Sequence, residues 1–498
     1  MRVIIDKKIP IDVLFIVEGT YPFIRGGVST WIHQIITGMP DINFGILFLG
    51  SREEDYEGIK YELPNNLVFL STYFLFSKSE QPKAEYIKGS EDVCKLKVFL
   101  KENMKIPEEI ISIDFYEKKI PFSHFLYGKQ TFEMMENLYT ELSSEMPFID
   151  FFWTVRNILS PLWVVVKSIY DVLDKEIKLI HSPSTGYAGF LGALLKKHKG
   201  IPFIITEHGI YTRERKIDIL NAHWTRQISG ALVPKYDIDE IKKLWINFFL
   251  NLGRIAYIKA DKVFSLFEDA RQVQIKLGCP PEKTGVIPNG VKTRKDISIE
   301  IEELKSIPPI VALIGRVTPI KDIKTFIKAM KILIDKYPHA EGWIVGPEEE
   351  DRDYVRECKL MVNALGVEDK VKFLGFQRID NILPKVGIVS LTSISEGMPM
   401  VILEAFSWGI PCVATDVGSC RQLIYGGLND EDICLGKAGK VTPVGNPEKI
   451  AEAYYELLTD MELWKRCRLT AIKRVNKFYS FDSFINSYRN VYESLIRS

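Results

Sequence analysis

Residues 12–18 form a near-continuous apolar run, the pattern of a parallel strand covered on both faces. The run gives way to a turn carrying Gly19, Gly26 and Gly27, then to a helical repeat over 28–37. The same succession recurs from residue 310. An apolar run over 310–314 is followed by a turn opening with Gly315 and Arg316 and by a helix beginning near Asp322. Asp322 is a favourable N-cap, and Ile323, Phe326, Ile327, Met330 and Ile334 recur behind it at helical spacing. Further strands are predicted over 177–182, 202–206, 260–266 and 284–288, then over 341–345, 371–374, 387–391 and 411–415. Strands alternating with helices imply parallel sheets joined by right-handed crossovers. Two opening strands imply two such sheets, hence an α/β protein of two Rossmann-like domains.

The charged stretch 292–309, ending in Pro308 and Pro309, marks the junction. The expected division is a first domain over 1–295, a second over 296–474 and a terminal helix within 475–498. Asn289 and Gly290 read as a turn closing the first domain. The region from about 50 to 170 is rich in Tyr, Phe, Lys and Glu and less regular, with a helix over 130–142, and reads as an insertion in the first domain.

Composition narrows the function classes. At 498 residues, about 150 per domain allows two or three domains. Lys plus Arg and Asp plus Glu are both 65, so the long-range basic field needed for bulk binding to nucleic acid or anionic lipid is absent. A local cationic pocket remains compatible with that balance. The 7 cysteines are scattered without a metal-ligand spacing, which points to a reducing compartment and away from a zinc site or a disulfide framework. The first residues lack a leader pattern, and no stretch reaches about 18 uninterrupted apolar residues. The expectation is a cytoplasmic protein with no membrane span.

In open α/β sheets, ligands bind beyond the carboxyl ends of the strands, and the unusual residues here fall there. The most specific string runs from Ser395 through Glu396, Gly397, Met398, Pro399, Met400 and Val401 to Glu404, after the strand at 387–391. Glycine and the free amides of a helix start make an anion site. Glu404, one to two turns inside the helix, can reach a polar ligand over its end, and a carboxylate is a bidentate acceptor for a ribose diol. Glu396, in the loop, can bind hydroxyls of a second sugar. Taken alone, Glu404 would more often only favour the helix dipole; the whole string in this context reverses that. Arg316 and Lys321 flank the turn after 310–314 and together can neutralise a diphosphate.

The first half offers Gly26 and Gly27 before a helix, a further site of close backbone approach. His208 follows a strand and precedes Gly209, where a ligand-facing side chain is expected, whereas His181 reads as structural. Two Asp-x-Asp strings, Asp237 with Asp239 and Asp351 with Asp353, abut charged helical sequence and read as solvated helix starts. Metal-free chemistry is therefore expected, with the cations supplied by Arg316 and Lys321.

These residues resemble a known family. Gly26-Gly27-Val28, the Ile287 to Val291 turn, Gly315-Arg316 with Lys321-Asp322, and Glu396 spaced from Glu404 look like retaining glycosyltransferases of family four, with the GT-B fold. The string from Val17 to Trp31 is similar to the Pel-type glycosyltransferases of bacterial exopolysaccharide systems. The resemblance implies two Rossmann-like domains facing each other across a cleft, with the donor on the second and the acceptor on the first. It implies a UDP-sugar donor, a polysaccharide acceptor, inner-membrane Pel complex proteins as partners, and neither metal nor cofactor.

Residue by residue, it implies that Arg316 and Lys321 bind the donor diphosphate and stabilise the departing nucleotide. Glu404 would hold the ribose and Glu396 the transferred sugar. Amides of Gly397, Met398, Met400 and Val401 would grip the donor, Pro399 having none to give. Gly27 would approach the diphosphate, His208 the reacting centre, and Phe376 the base. The last helix would return to the first domain.

Two other classes share the architecture. A dinucleotide-dependent oxidoreductase needs a Gly-x-Gly-x-x-Gly turn after a strand, and none is present. A phosphorylase using a pyridoxal cofactor would show the absorbance of a lysine-bound cofactor. A non-catalytic nucleotide-sugar-binding scaffold remains the alternative, separated from an enzyme by release of nucleotide diphosphate.

Overall fold

The computed structural model describes residues 2–76, 86–102, 106–142, 146–221, 240–294 and 306–497. The chain divides into two compact units. Unit one comprises Met1–Ser265, Ala270–Val286 and Tyr488–Ser498; unit two comprises Leu266–Asp269 and Ile287–Ser487. The division falls at Val286/Ile287 rather than at 295/296. Asn289 and Gly290, expected to close the first domain, therefore group with unit two. There the Asn289 amide lies 3.3 Å from Met398 Sδ, and Val291 bridges to Ser480. The Asp237–Asp239 string and much of the charged junction lie outside the described residues.

Unit one is built on eight strands: β1 (Arg2–Asp6), β2 (Ile11–Glu18), β3 (Phe44–Gly50), β4 (Leu67–Phe74), β5 (Ile177–Ser182), β6 (Phe203–Glu207), β7 (Lys262–Ser265) and β8 (Thr284–Val286). Their order is β1-β4-β3-β2-β5-β6-β7-β8, and every pairing except β1 with β4 is parallel. β2, β3 and β4 are almost wholly buried, as strands covered by helices on both faces must be. β4 lies inside the stretch expected to be an insertion and is the third parallel strand from β2. Helices then follow from Val93 to Leu173. The run Phe148–Leu173 is long and apolar enough by composition to cross a membrane, with a mean hydropathy of 1.3. Within the unit 56% of that window is buried, and Phe151, Val155, Ile158, Leu162 and Val166 share one core with the sheet.

Unit two carries β9 (Ile310–Ile314), β10 (Glu341–Val345), β11 (Val371–Gly375), β12 (Ile388–Leu391), β13 (Cys412–Thr415) and β14 (Gly439–Thr442). The order β11-β10-β9-β12-β13-β14 is parallel throughout, the doubly wound Rossmann arrangement. Within unit two, Arg474 and Asp432 form a fully buried ion pair at 2.6 Å. The last helix, Phe481–Ile496, ends in unit one. There Tyr492 hydroxyl lies 2.8 Å from His181 Nδ1, and Tyr488 packs edge-on to Trp31. His181 also meets Thr206 at 2.9 Å and stacks on Phe15, so it is a core residue, as the sequence predicts.

In both sheets the chain reverses direction of growth at the neighbours of the opening strand. These switch points, β2/β5 in unit one and β9/β12 in unit two, are where strand ends leave a crevice for a ligand.

Candidate active site

In unit two the switch point gathers the predicted residues. The turn Pro319–Lys321 ends at Asp322, whose φ of +45° is unusual for a residue with a Cβ and tolerated by Asp. Asp322 caps the helix Ile323–Lys336 by accepting from the Thr325 amide. The turn is tied to the loop after β12. Thr392 Oγ1 donates to the Lys321 and Asp322 carbonyls at 2.8 and 3.0 Å, and the Ile394 amide donates to the Ile320 carbonyl. Two loops far apart in sequence are thus held together by one side-chain hydroxyl and one backbone amide.

Across this join Lys321 Nζ donates to Glu396 Oε1 at 2.5 Å, and Ser393 Oγ donates to the same oxygen at 2.6 Å. The side chains of Lys321 and Glu396 are 22% and 12% exposed. Gly315 lies beneath: a Cβ there would stand 3.6 Å from Lys321 Cε. Gly346 meets the Gly315 carbonyl so closely that a Cβ would overlap it at 1.9 Å, which brings the turns after β9 and β10 together. Arg316 pairs instead with Glu350 at 2.6 Å, both side chains more than half exposed. Exposed pairs of this kind contribute about 0–1 kcal/mol, so an anionic ligand can displace Glu350 readily.

The loop continues through Gly397, whose carbonyl accepts from the Ser419 amide, and through the buried Met398. The helix Met400–Ser407 follows, with Pro399 as N-cap and no side chain capping its first amides. The amides of Met400 and Val401 are thus left without a capping side chain, the condition for an anion site. Glu404 stands in the second turn of a helix whose Ile402, Leu403, Ala405 and Phe406 are buried. Among the described residues no hydrogen bond or ion pair to its carboxylate is found. Burial, with Asp380 adding like charge, raises its pKa above the ordinary carboxylate value. A half-buried acceptor without a donor is a group prepared for a ligand. Phe376, after β11 on the sheet edge, is 76% exposed. Asp351 caps the helix Arg352–Ala364, and Asp353 pairs with Arg356, as expected of a helix start. Among the described residues no cluster of three or more His, Cys, Asp or Glu could hold a metal ion.

Gly27 and His208 belong to unit one. Gly26 and Gly27 are exposed, and a Cβ on either would meet nothing within 4 Å. Open space stands before the helix Gly27–Gly38. His208 packs edge-on to Trp31 at 4.7 Å, and burial lowers its pKa to about 3, so it is neutral at pH 7. Its Nε2 is buried without a partner.

His208 also lines a cavity of about 640 Å³ at the β2/β5 switch point, which the sequence did not announce. Glu18, the last residue of β2, enters it and accepts from Tyr211 hydroxyl at 2.6 Å and from the Tyr187 amide at 3.0 Å. Glu207, the last residue of β6, is buried nearby and accepts from Thr185, Tyr257 and Gln274. Burial raises the pKa of both glutamates. Gly186 makes room for the Tyr211 ring, 2.3 Å from where a Cβ would stand, and Gly209 for the Glu214 carboxylate. The signal available in the sequence was a glutamate ending each of two apolar strands, since a charge is buried there only when bonded.

Two Rossmann-like sheets, each with a prepared site at its switch point, define the class: the protein is a glycosyltransferase with the GT-B fold. A family model for glycosyl transferases group 1 matches residues 308–460, which hold every predicted site residue of unit two. The chain belongs to the family of the domain of unknown function DUF3492, whose model matches residues 11–282.

The UDP-Gal:alpha-D-GlcNAc-diphosphoundecaprenol alpha-1,3-galactosyltransferase of Escherichia coli is 28% identical over 296 residues, covering 55% of this chain and 69% of that enzyme. The lipopolysaccharide 1,6-galactosyltransferase of Escherichia coli K12 is 29% identical over 208 residues, covering 40% of this chain and only 54% of its own length. Among solved structures, Anabaena Alr3699/HepE in complex with UDP and glucose superposes with a TM-score of 0.58 at 18% identity, covering 97% of this chain and 100% of that one. Sucrose-phosphate synthase from Thermosynechococcus elongatus gives 0.58 at 14% identity, covering 97% and 99%.

Proposed function

We propose that the chain is a retaining, metal-independent glycosyltransferase that moves a hexosyl or N-acetylhexosaminyl group from a UDP-sugar to a growing polysaccharide. The observation that carries the reading is the β9/β12 switch point, where Lys321 of the turn after β9 pairs with Glu396 of the loop that leads into an uncapped helix start and Glu404. Breaking the anomeric carbon–phosphate bond leaves an oxocarbenium-like sugar and a diphosphate with extra charge. Arg316, Lys321 and the amides of Gly397, Met398, Met400 and Val401 are the groups to take up that charge, and preorganised donors at developing charge are usually the largest catalytic contribution. Glu404 accepts from the ribose hydroxyls. Glu396 is released from Lys321 to the sugar hydroxyls as the phosphate takes the lysine. Phe376 lies against the base.

UDP is the preferred nucleotide because an Escherichia coli relative is named for UDP-Gal and the Anabaena neighbour was solved with UDP. The acceptor belongs on unit one, which also carries the neutral His208 and the exposed Gly27. The leaving phosphate takes the acceptor's proton on the same face, which gives retention. The resemblance of the Val17 to Trp31 string to PelF suggests Pel-type exopolysaccharide synthesis, with inner-membrane Pel proteins as partners and a cytoplasmic location in keeping with seven free cysteines.

The reading is tested by incubating the protein with UDP-glucose or UDP-N-acetylglucosamine and oligosaccharide primers, following UDP release and the anomeric signal of the product by NMR. UDP release with an α-linked product supports it; a β-linked product removes retention. Absence of UDP release with UDP bound would favour the scaffold alternative.

A further inference from the structure

Arg316 and Lys321 each hold a carboxylate of their own chain already, and the two carboxylates are held very differently. Glu350 meets Arg316 with both side chains more than half exposed, so either can turn to water at little cost. Glu396 has no such freedom. Its carbonyl lies against Gly418, whose φ is +53° and where a Cβ would stand 2.3 Å from that oxygen. The next carbonyl, of Gly397, accepts from the Ser419 amide at 2.9 Å. On the other side stands Ser393, 1% exposed, whose carbonyl accepts from Thr415 Oγ1 at 2.7 Å. The backbone around Glu396 is clamped from both directions. A carboxylate that gives up the Lys321 ammonium stays close to it.

The bonds are divided unevenly between the two carboxylate oxygens. Oε1 accepts from Lys321 at 2.5 Å and from Ser393 Oγ at 2.6 Å, whereas Oε2 has no donor among the described residues. A diphosphate that takes the ammonium therefore meets a fixed negative charge, kept in place by Ser393, where both members of the pair are largely covered. That charge opposes any anion at Lys321. A sugar joined to the diphosphate offsets the opposition, because its hydroxyls can donate to Oε2 and to the position that Lys321 vacates on Oε1. Free UDP brings no hydroxyls there, and its terminal phosphate carries more negative charge than the same phosphate esterified to a sugar.

We propose that Glu396 is a specificity-determining residue that selects against the product, and that Ser393 is its positioning residue. A carboxylate held beside Lys321 disfavours free UDP, favours UDP joined to a sugar, and recaptures the ammonium as UDP leaves. Resting on the reading of the β9/β12 switch point as the donor site, the selection adds to that site a discrimination between its substrate and its product.

The test is calorimetric titration of UDP into the full chain and into Lys321→Ala, Glu396→Gln, Ser393→Ala and the double variant of the last two, each first shown to melt cooperatively. Glu396→Ala replaces Glu396→Gln should the latter not fold. Glu396→Gln keeps the shape and removes the charge, so UDP should bind about tenfold tighter, with transfer slowed and inhibition by UDP increased. Ser393→Ala leaves Lys321 as the one donor to the carboxylate, so the ammonium is surrendered less readily and UDP should bind about threefold more weakly. In the Glu396→Gln background Ser393→Ala should have little effect, because no charge is left to be held. UDP affinity unchanged or lowered by Glu396→Gln, as a residue that only holds the sugar or the loop would give, overturns the proposal. A Ser393→Ala effect of equal size with and without the Glu396 charge does so too. Lys321→Ala separates the two readings. Loss of UDP binding in Lys321→Ala with affinity unchanged in Glu396→Gln removes the selection alone. UDP affinity untouched by Lys321→Ala, or no UDP binding by the wild type, removes the donor site and the selection with it.

Discussion

Lys321→Gln isolates the group on which the proposed chemistry depends most. In the free protein its ammonium sits 2.5 Å from Glu396 in a site where both side chains are largely covered. At an effective dielectric of about 20 the gross attraction at that distance is about 7 kcal/mol, nearly all of it offset by desolvation of the two ions. Removing one partner of a well-buried pair costs about 3–5 kcal/mol. Here the remaining carboxylate keeps the Ser393 hydroxyl at 2.6 Å and some water, so a loss of about 1–2 kcal/mol of stability is expected. The catalytic loss should be larger. One preorganised donor to a developing negative charge is worth about 100- to 1,000-fold in kcat, or about 3–4 kcal/mol. The assay is initial-rate UDP release from the donor the enzyme accepts, beside a thermal melt of the same sample. Kcat reduced about 100-fold or more in a variant that still melts cooperatively is the expected result. Kcat within tenfold of wild type would refute the assignment of Lys321 to the diphosphate.

Three further outcomes follow from particular groups. Glu404→Gln should raise the donor KM about tenfold, and in wild type donor affinity should decline on acidification sooner than for an ordinary carboxylate, because burial raises this pKa and the bond needs the ionised form; a KM unchanged by substitution and flat to pH 5 would contradict it. His208, with a folded pKa of about 3 against about 6.5 when unfolded, must take up a proton on unfolding, so stability it contributes above pH 6.5 is lost as pH falls toward 3. That amounts to about 2 kcal/mol between pH 8 and pH 5, and His208→Gln should flatten the acid limb of the melting-temperature profile by that much. Asp432→Ala strands Arg474 in the core of unit two and should destabilise that unit by about 3–5 kcal/mol in denaturant unfolding; a loss under 1 kcal/mol would show the pair to be dispensable.

The sequence made the opening strands and their turns legible because both signals are local. An apolar run and a glycine turn lie within about twenty residues of one another in each unit, and in unit two Asp322 caps its helix as expected. Structural His181 and the helix start at Asp351 were legible for the same reason. β3 went unpredicted although its run is as apolar as that of β2, and in β4 Ser71 and Thr72 interrupt the apolar run while being buried themselves. The cavity was illegible for a different cause. Glu18, Ser184, His208 and Trp245 are brought together only by the strand order, over more than two hundred residues of chain. Nor could the sequence show that Arg316 and Lys321 are already paired with Glu350 and Glu396, since such partners are chosen by loop contacts.

Donor binding at the β9/β12 switch point of unit two carries the proposed chemistry. A crystal structure of the full chain soaked with UDP tests it most directly. The expected density places the diphosphate against Arg316, Lys321 and the amides leading into the helix Met400–Ser407, with the ribose hydroxyls on Glu404. UDP found in the cavity beside Glu18 and His208, or Lys321 still paired with Glu396 beneath a fully occupied nucleotide elsewhere, would contradict it.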